Sequence, residues 1–138
     1  MASFVKYQTG VEALVEAINA GSDTWKIGLT NRAPVVATDT TLANATEIAA
    51  GNGYTAGGNG CTVTSSSQTG GTYKLVLASP AAWTATGGSI GPFQYAFLYD
   101  STTNNLVGYW DYGSAVTLSV GESFTVVLDA TNGVFTVA

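Results

Sequence analysis

The chain holds 138 residues with 46% hydrophobic and only 9% charged side chains, a net charge of −5 and no histidine. That length suits one ordinary domain, residues 1–138, able to bury a core without metal or disulfide staples, and the hydrophobic content excludes a disordered chain. The four cations, Lys6, Lys26, Arg32 and Lys74, form no run, which argues against a nucleic-acid partner and leaves an acidic membrane surface unsupported.

Gly, Thr, Ser and Ala replace the missing charges, and Val, Thr and aromatics favour strands. A surface solvated by hydroxyls and amides suits close docking, because few ions must lose water. It also suits a plain neutral β protein. Cys61 is the only cysteine, so no internal disulfide forms and nothing points to an oxidising compartment. Met1 to Tyr7 lack the basic stretch and apolar run of a signal peptide, and no segment reads as a membrane-spanning helix. The expectation is a protein made in a cytoplasm that stays soluble or joins an assembly there.

In chain order, Thr9-Gly10-Val11-Glu12 fits a capping box. Val11, Leu14, Val15 and Ile18 follow at helical spacing, and Gly21 is a natural stop. The spacing predicts a short N-terminal helix over about 10–20, its stripe packed on protein. Trp25, Ile27 and Leu29 alternate with Lys26 and Gly28, which predicts a strand. Asp39 to Ile48 reads either as a short helix capped by Asp39 or as an irregular crossing loop. Residues 49–60 are rich in glycine and predict a long loop.

From Cys61 onward the texture is β. Strands are expected at Cys61–Gln68, Thr72–Ala78, Trp83–Thr86, Phe93–Asp100, Leu106–Tyr112, Ala115–Val120, Ser123–Leu128 and Val134–Val137. Turn signals separate them, among them Gly70-Gly71, Gly91-Pro92, Gly113-Ser114 and Asn132-Gly133. Even spacing of short strands predicts an all-β, jelly-roll-like β-sandwich. In the hairpin 93–112, pairing Asp100 with Asn105 sets Tyr99 against Leu106, Phe97 against Gly108, Tyr95 against Trp110 and Phe93 against Tyr112. That face is the expected core. The opposite face, Ala96, Leu98, Val107 and Tyr109, is too apolar to stand in water unexplained. Either the N-terminal helix or a second subunit covers it, and these four residues are the candidate interface of a homo-dimer.

Reactive chemistry is hard to assemble. Without histidine there is no His-based triad, no usual zinc site and no ordinary general base at neutral pH. Cys61 alone reads as structural. Asp100 and Asp111 would stand about 20 Å apart at roughly 3.4 Å per residue, against the roughly 5–10 Å of a glycosidase pair. Glu12 and Glu16 read as solvated helix charges. Gly51-Asn52-Gly53-Tyr54-Thr55-Ala56 imitates a dinucleotide fingerprint, but no βαβ unit surrounds it. Asn44-Ala45-Thr46 matches a glycosylation sequon, which means little without a secretory signal. Tyr54, Trp83, Tyr109 and Trp110 are the aromatics that could line a sugar-binding face, although alternating aromatics in β proteins are usually core. The expectation is no enzyme, no cofactor and no metal.

Several segments carry a resemblance. They are Gly21-Ser22-Asp23-Thr24-Trp25-Lys26-Ile27-Gly28-Leu29-Thr30-Asn31, then Glu47 to Gly58 with its Gly51-Asn52-Gly53-Tyr54 centre, then Gly87 to Tyr99. Gly108-Tyr109-Trp110-Asp111-Tyr112-Gly113-Ser114 and Gly121-Glu122-Ser123-Phe124 complete the set. Over nearly its whole length the chain resembles capsid cement, or decoration, proteins of tailed bacteriophages with a jelly-roll-like fold. The resemblance implies a structural protein of the virion, bound to the outer capsid surface at contacts between capsomers, with the major capsid protein as partner and with no catalytic residues. Some members of that family are dimers on two-fold axes. A phage tail or adhesin β-sandwich, able to bind glycan, is the alternative.

Overall fold

A computed structural model describes residues 2–138. The elements in order are β1 (Phe4–Lys6), α1 (Gln8–Glu16), β2 (Trp25–Thr30), α2 (Leu42–Ala45), β3 (Asn59–Cys61) and β4 (Val63–Thr69). They continue with β5 (Thr72–Leu77), β6 (Trp83–Thr84), β7 (Ile90–Asp100), β8 (Asn105–Leu118), β9 (Ser123–Phe124) and β10 (Phe135–Val137). A five-stranded sheet of order β1-β8-β7-β2-β3 faces a three-stranded sheet β10-β5-β4 and a small pair β6-β9. All the strand pairs are antiparallel. The all-β sandwich with an N-terminal helix is the fold observed.

The main core lies between the sheets. Trp25, Ile27 and Leu29 from β2 meet Ala96 and Leu98 from β7 and Leu75 and Leu77 from β5. Each such aliphatic or aromatic side chain, fully buried, contributes roughly 1.5–3 kcal/mol against exposure. The opposite face of the β7–β8 ladder carries a smaller cluster of Tyr7, Ala45, Phe97, Tyr99 and Leu106, with Leu42 and Tyr109 packed on it. The central sheet is therefore covered on both faces by its own chain.

The cover on that second face comes from the segment 31–48. Arg32 holds Asp39 through two hydrogen bonds of 2.7 and 3.0 Å, and Val35 N–H donates to the same carboxylate. The Thr30 hydroxyl donates to the carbonyls of Ala45 and Thr46. The two readings of 39–48 both hold in part: an irregular crossing contains a four-residue helix. Its cap is Thr41 with Asn44, not Asp39.

The helix differs from expectation. It runs over Gln8–Glu16, and its N-cap Tyr7 makes no side-chain cap. Thr9 donates instead to the Asp39 carbonyl at 2.7 Å, so the capping box with Glu12 does not form. Gly10 is buried, and a Cβ there would stand 2.6 Å from the Leu106 carbonyl oxygen. That close approach turns the face of Gly10, Leu14 and Ile18 inward, with Leu14 and Ile18 packed on the main core. Val11 and Val15, expected on the same stripe, are exposed.

The hairpin keeps the Asp100–Asn105 and Tyr99–Leu106 pairs and then slips by one, so that Leu98 faces Gly108, Phe97 faces Tyr109 and Ala96 faces Trp110. A bulge at Val107 accounts for the slip. Gly91-Pro92 and Gly113-Ser114, expected as turns, lie within long strands. Between the pairs Tyr95–Asp111 and Phe93–Val116, β8 takes five steps against two on β7, so the extra residues loop out rather than end the strand. The expected strands 106–112 and 115–120 are one strand, β8.

Candidate docking surfaces

The four residues assigned to an interface lie elsewhere than expected. Ala96, Leu98 and Val107 are 0%, 0% and 2% exposed and belong to the main core. They cannot meet a second subunit while the sandwich is closed. The one-residue slip at Val107 is the reason, together with cover on both sheet faces. Tyr109 is half-buried on the opposite face, edge-on to Tyr7 with ring centroids 5.6 Å apart. The structure does not bring the four together as one surface.

The aromatics considered for sugar binding fare similarly. Tyr54 and Trp83 are 2% and 1% exposed and stack with centroids 6.5 Å apart, while Trp110 is 7% exposed. Tyr54 serves the loop instead. Its hydroxyl donates to Glu47 at 2.8 Å and accepts from Leu29 N–H, and Glu47 also accepts from Gly57 N–H at 2.9 Å. The glycine-rich loop 49–60 is thus tied down by one carboxylate and one phenol, and its last residues enter β3.

Asp111 pairs with Tyr95 and Asp100 with Asn105, which leaves them roughly 17 Å apart at about 3.4 Å per residue. Asp111 sits within β8, beside its looped-out residues, and hydrogen bonds from Gln94 and from Gly113 N–H hold its carboxyl below the usual range. Asp100 is fully buried and accepts from Thr102 N–H and Thr103. Burial first, and then the neighbouring Asp23 carboxyl, raises its pKa. At Asp39, burial alone would raise the pKa, but the Arg32 hydrogen bond and Val35 N–H outweigh it and the net shift is downward. Cys61 is buried, and burial pushes its thiol up to about 12, which suits packing and not nucleophilic attack. Among the described residues, no three Cys, Asp or Glu side chains gather as a metal site, and no helix is long and apolar enough to cross a membrane.

What remains open is surface. On one side of the sandwich, the unpaired edges of β1 and β10 flank a groove of about 640 Å³ whose lining includes Val5, Val11, Leu14, Val107 and Val137. Val5, Val11 and Val137 are 40%, 43% and 47% exposed. Sequence reasoning missed this groove because β1 is only three residues long, too short to show alternation. On the other side lie the free edges of β3 and β4. Every residue of β4 after Val63 is exposed. The cations stay dispersed: Arg32 is paired with Asp39, and Lys74 donates to the Thr131 carbonyl. Lys6 and Lys26 stand on β1 and β2, three strands apart in the sheet, or roughly 14 Å.

Comparison with protein-family models, with curated proteins and with solved structures finds no match to this chain.

Proposed function

We propose that this chain is a non-enzymatic structural protein of a tailed-phage virion, bound to the outer surface of the assembled head, where it cements contacts between capsomers. The major capsid protein is its partner. The reading is carried by the resemblance of residues 21–31, 47–58, 87–99 and 108–114 to phage cement proteins. Those same segments hold the centre of this fold. Trp25, Ile27 and Leu29 form its core strand, Glu47, Tyr54 and Gly57 pin its loop, and 90–118 is its long hairpin.

The chemistry of the surface supports it. Dispersed cations give no phosphate-tracking groove, and the roughly 17 Å between Asp100 and Asp111 is too wide for paired-carboxylate hydrolysis. A small rigid domain repeated over every seam adds weak contacts many times over. Anything that binds the closed shell and not its separated parts raises shell stability by mass action. An acidic exterior favours basic or polar capsomer surfaces over packaged nucleic acid.

The test is a virion with and without the protein. Heads lacking it are expected to assemble but to burst at lower temperature or lower internal pressure. Purified protein added back is expected to restore resistance at stoichiometric occupancy, with electron microscopy showing it on the outer head. Protein found only on the tail, or stripped heads as robust as complete ones, overturns the cement reading and puts a tail or adhesin role in its place.

A further inference from the structure

The free edge of β4 has a combination of properties that no other edge of the sandwich shares. It is the terminal strand of its sheet, seven residues long, Val63–Thr69, whereas β1, β3 and β10 have three each. Its residues, Val-Thr-Ser-Ser-Ser-Gln-Thr, include no charge, no proline and no glycine. Natural sheets protect such edges with lysines, prolines, bulges or a covering loop. Here one irregularity, between Val63 and Ser65, marks the start of the strand, and Ser65 to Thr69 then pair with β5 without a break. The far end is a tight hairpin on Gly70 and Gly71, both with positive φ (59° and 85°), a turn whose twist matches that of the two strands and keeps them paired to their ends. Ser66 is on the inner side, sharing a 2.7 Å hydrogen bond with the Tyr73 hydroxyl. Ser65 and Ser67, its neighbours, point to the other face. Among the described residues no hydrogen bond reaches the outward N–H and C=O groups of β4, and the Gly21 backbone, which stands against the Ser66 hydroxyl, meets the strand on its inner side.

Charge decides what can meet that edge. The molecule carries −5, so two copies repel over most orientations. All nine acids lie outside residues 48–99, and the only charge within that stretch is Lys74. Asp23 adjoins the Val63 end of the strand, and no acid lies on β4 or β5. The edge is therefore where two copies approach with the least repulsion. An antiparallel strand pair is also self-complementary about a two-fold axis, so one edge suffices for a closed contact.

We propose that β4 pairs antiparallel with β4 of a second copy, joining two three-stranded sheets into one continuous sheet of six. The inference goes beyond the cement reading and stands without it. A seven-residue edge is short beside the roughly 1,600 Å² of a standard interface, so the dimer dissociates on dilution. Salt strengthens it, because screening weakens the repulsion between two acidic copies.

Sedimentation of the full chain over a concentration series, with amide exchange, tests this. The expected result is a concentration-dependent dimer whose Ser65–Thr69 amides gain protection as concentration rises. Ser65→Glu with Ser67→Glu sets like charges across the pairing and is expected to weaken the dimer at least tenfold while leaving circular dichroism and thermal midpoint unchanged. Val11→Glu with Val137→Glu, on the opposite groove, is expected to leave the dimer intact. A wild-type chain still monomeric at about 1 mM, where even a contact of about 4 kcal/mol is half formed, overturns the proposal. So does a dimer that survives the β4 charges, a dimer lost through the groove variants alone, or β4 amides whose exchange ignores concentration. The amide-exchange arm needs no variant and decides the matter even if the glutamates disturb the hairpin.

Discussion

Two glycines of the central sheet, Gly28 and Gly108, each lie against an aromatic ring. The sequence sets Phe97 against Gly108, whose missing side chain leaves room for a ring, and a ring does fill that space. The ring is that of Phe4 from β1, while Phe97 fills the space above Gly28. The principle was legible and the partner was not, because a bulge at Val107 carries no glycine or proline to announce it. Gly28→Ala forces a methyl into the ring of Phe97, which is 0% exposed and cannot move aside. It is expected to cost roughly 1–3 kcal/mol. Gly108→Ala meets only the half-buried tip of Phe4, which can swing outward, and is expected to cost less. Equal thermal midpoints for the two variants would contradict this. Asp100 offers a pH test. Its folded-state pKa lies above the unfolded value, so its contribution to stability is fully present below the unfolded pKa and is lost as pH rises through the folded pKa. Asp100→Asn keeps one oxygen to accept from Thr102 N–H, puts an NH2 where the other accepts from Thr103, and removes the buried charge beside Asp23. The variant is expected to be more stable than wild type at pH 7, with the difference shrinking as pH falls towards 4. Denaturant titrations at several pH values would show it.

At the scale of elements, strand existence was legible and strand ends were not. Trp25–Thr30, the Thr72–Leu77 strand and the 93–112 part of the long hairpin followed from alternation and turn residues. Gly91-Pro92 and Gly113-Ser114 misled, since the same residues that make turns also make irregularities inside strands. The helix was legible in place and wrong in orientation. Hydrophobic spacing put Val11, Leu14, Val15 and Ile18 on one face, yet a close approach to β8 is made by a residue with no side chain, Gly10. Periodicity counts apolar side chains and is blind to a glycine contact. Leu14→Ala is therefore expected to destabilise the fold by roughly 2 kcal/mol, and Val15→Ala, at a residue 82% exposed, by less than about 0.5 kcal/mol. Thermal melts of the two variants check the orientation directly, and similar losses would mean the stripe faces inward as spacing alone suggested.

For the molecule as a whole, the sandwich class was legible from composition and the rhythm of turns, while the docking surface was not. Ala96, Leu98 and Val107 were assigned outward because one sheet face was expected to be core and the other free. A sheet buried on both faces leaves no such contrast, and its central strands read as continuous apolar runs. The accessible surfaces then fall at the edges, where side chains are polar or strands too short to notice.

The first and last strands border one groove, with Ala2 beside Val134, just before β10, and Ala138 on the side of Val11 and Leu14. Both strands are sheet edges, so a segment entering that groove would meet two unpaired backbones at once. The exposed Gly70-Gly71 tip belongs to neither strand, and inserted sequence there would leave both edges as they are.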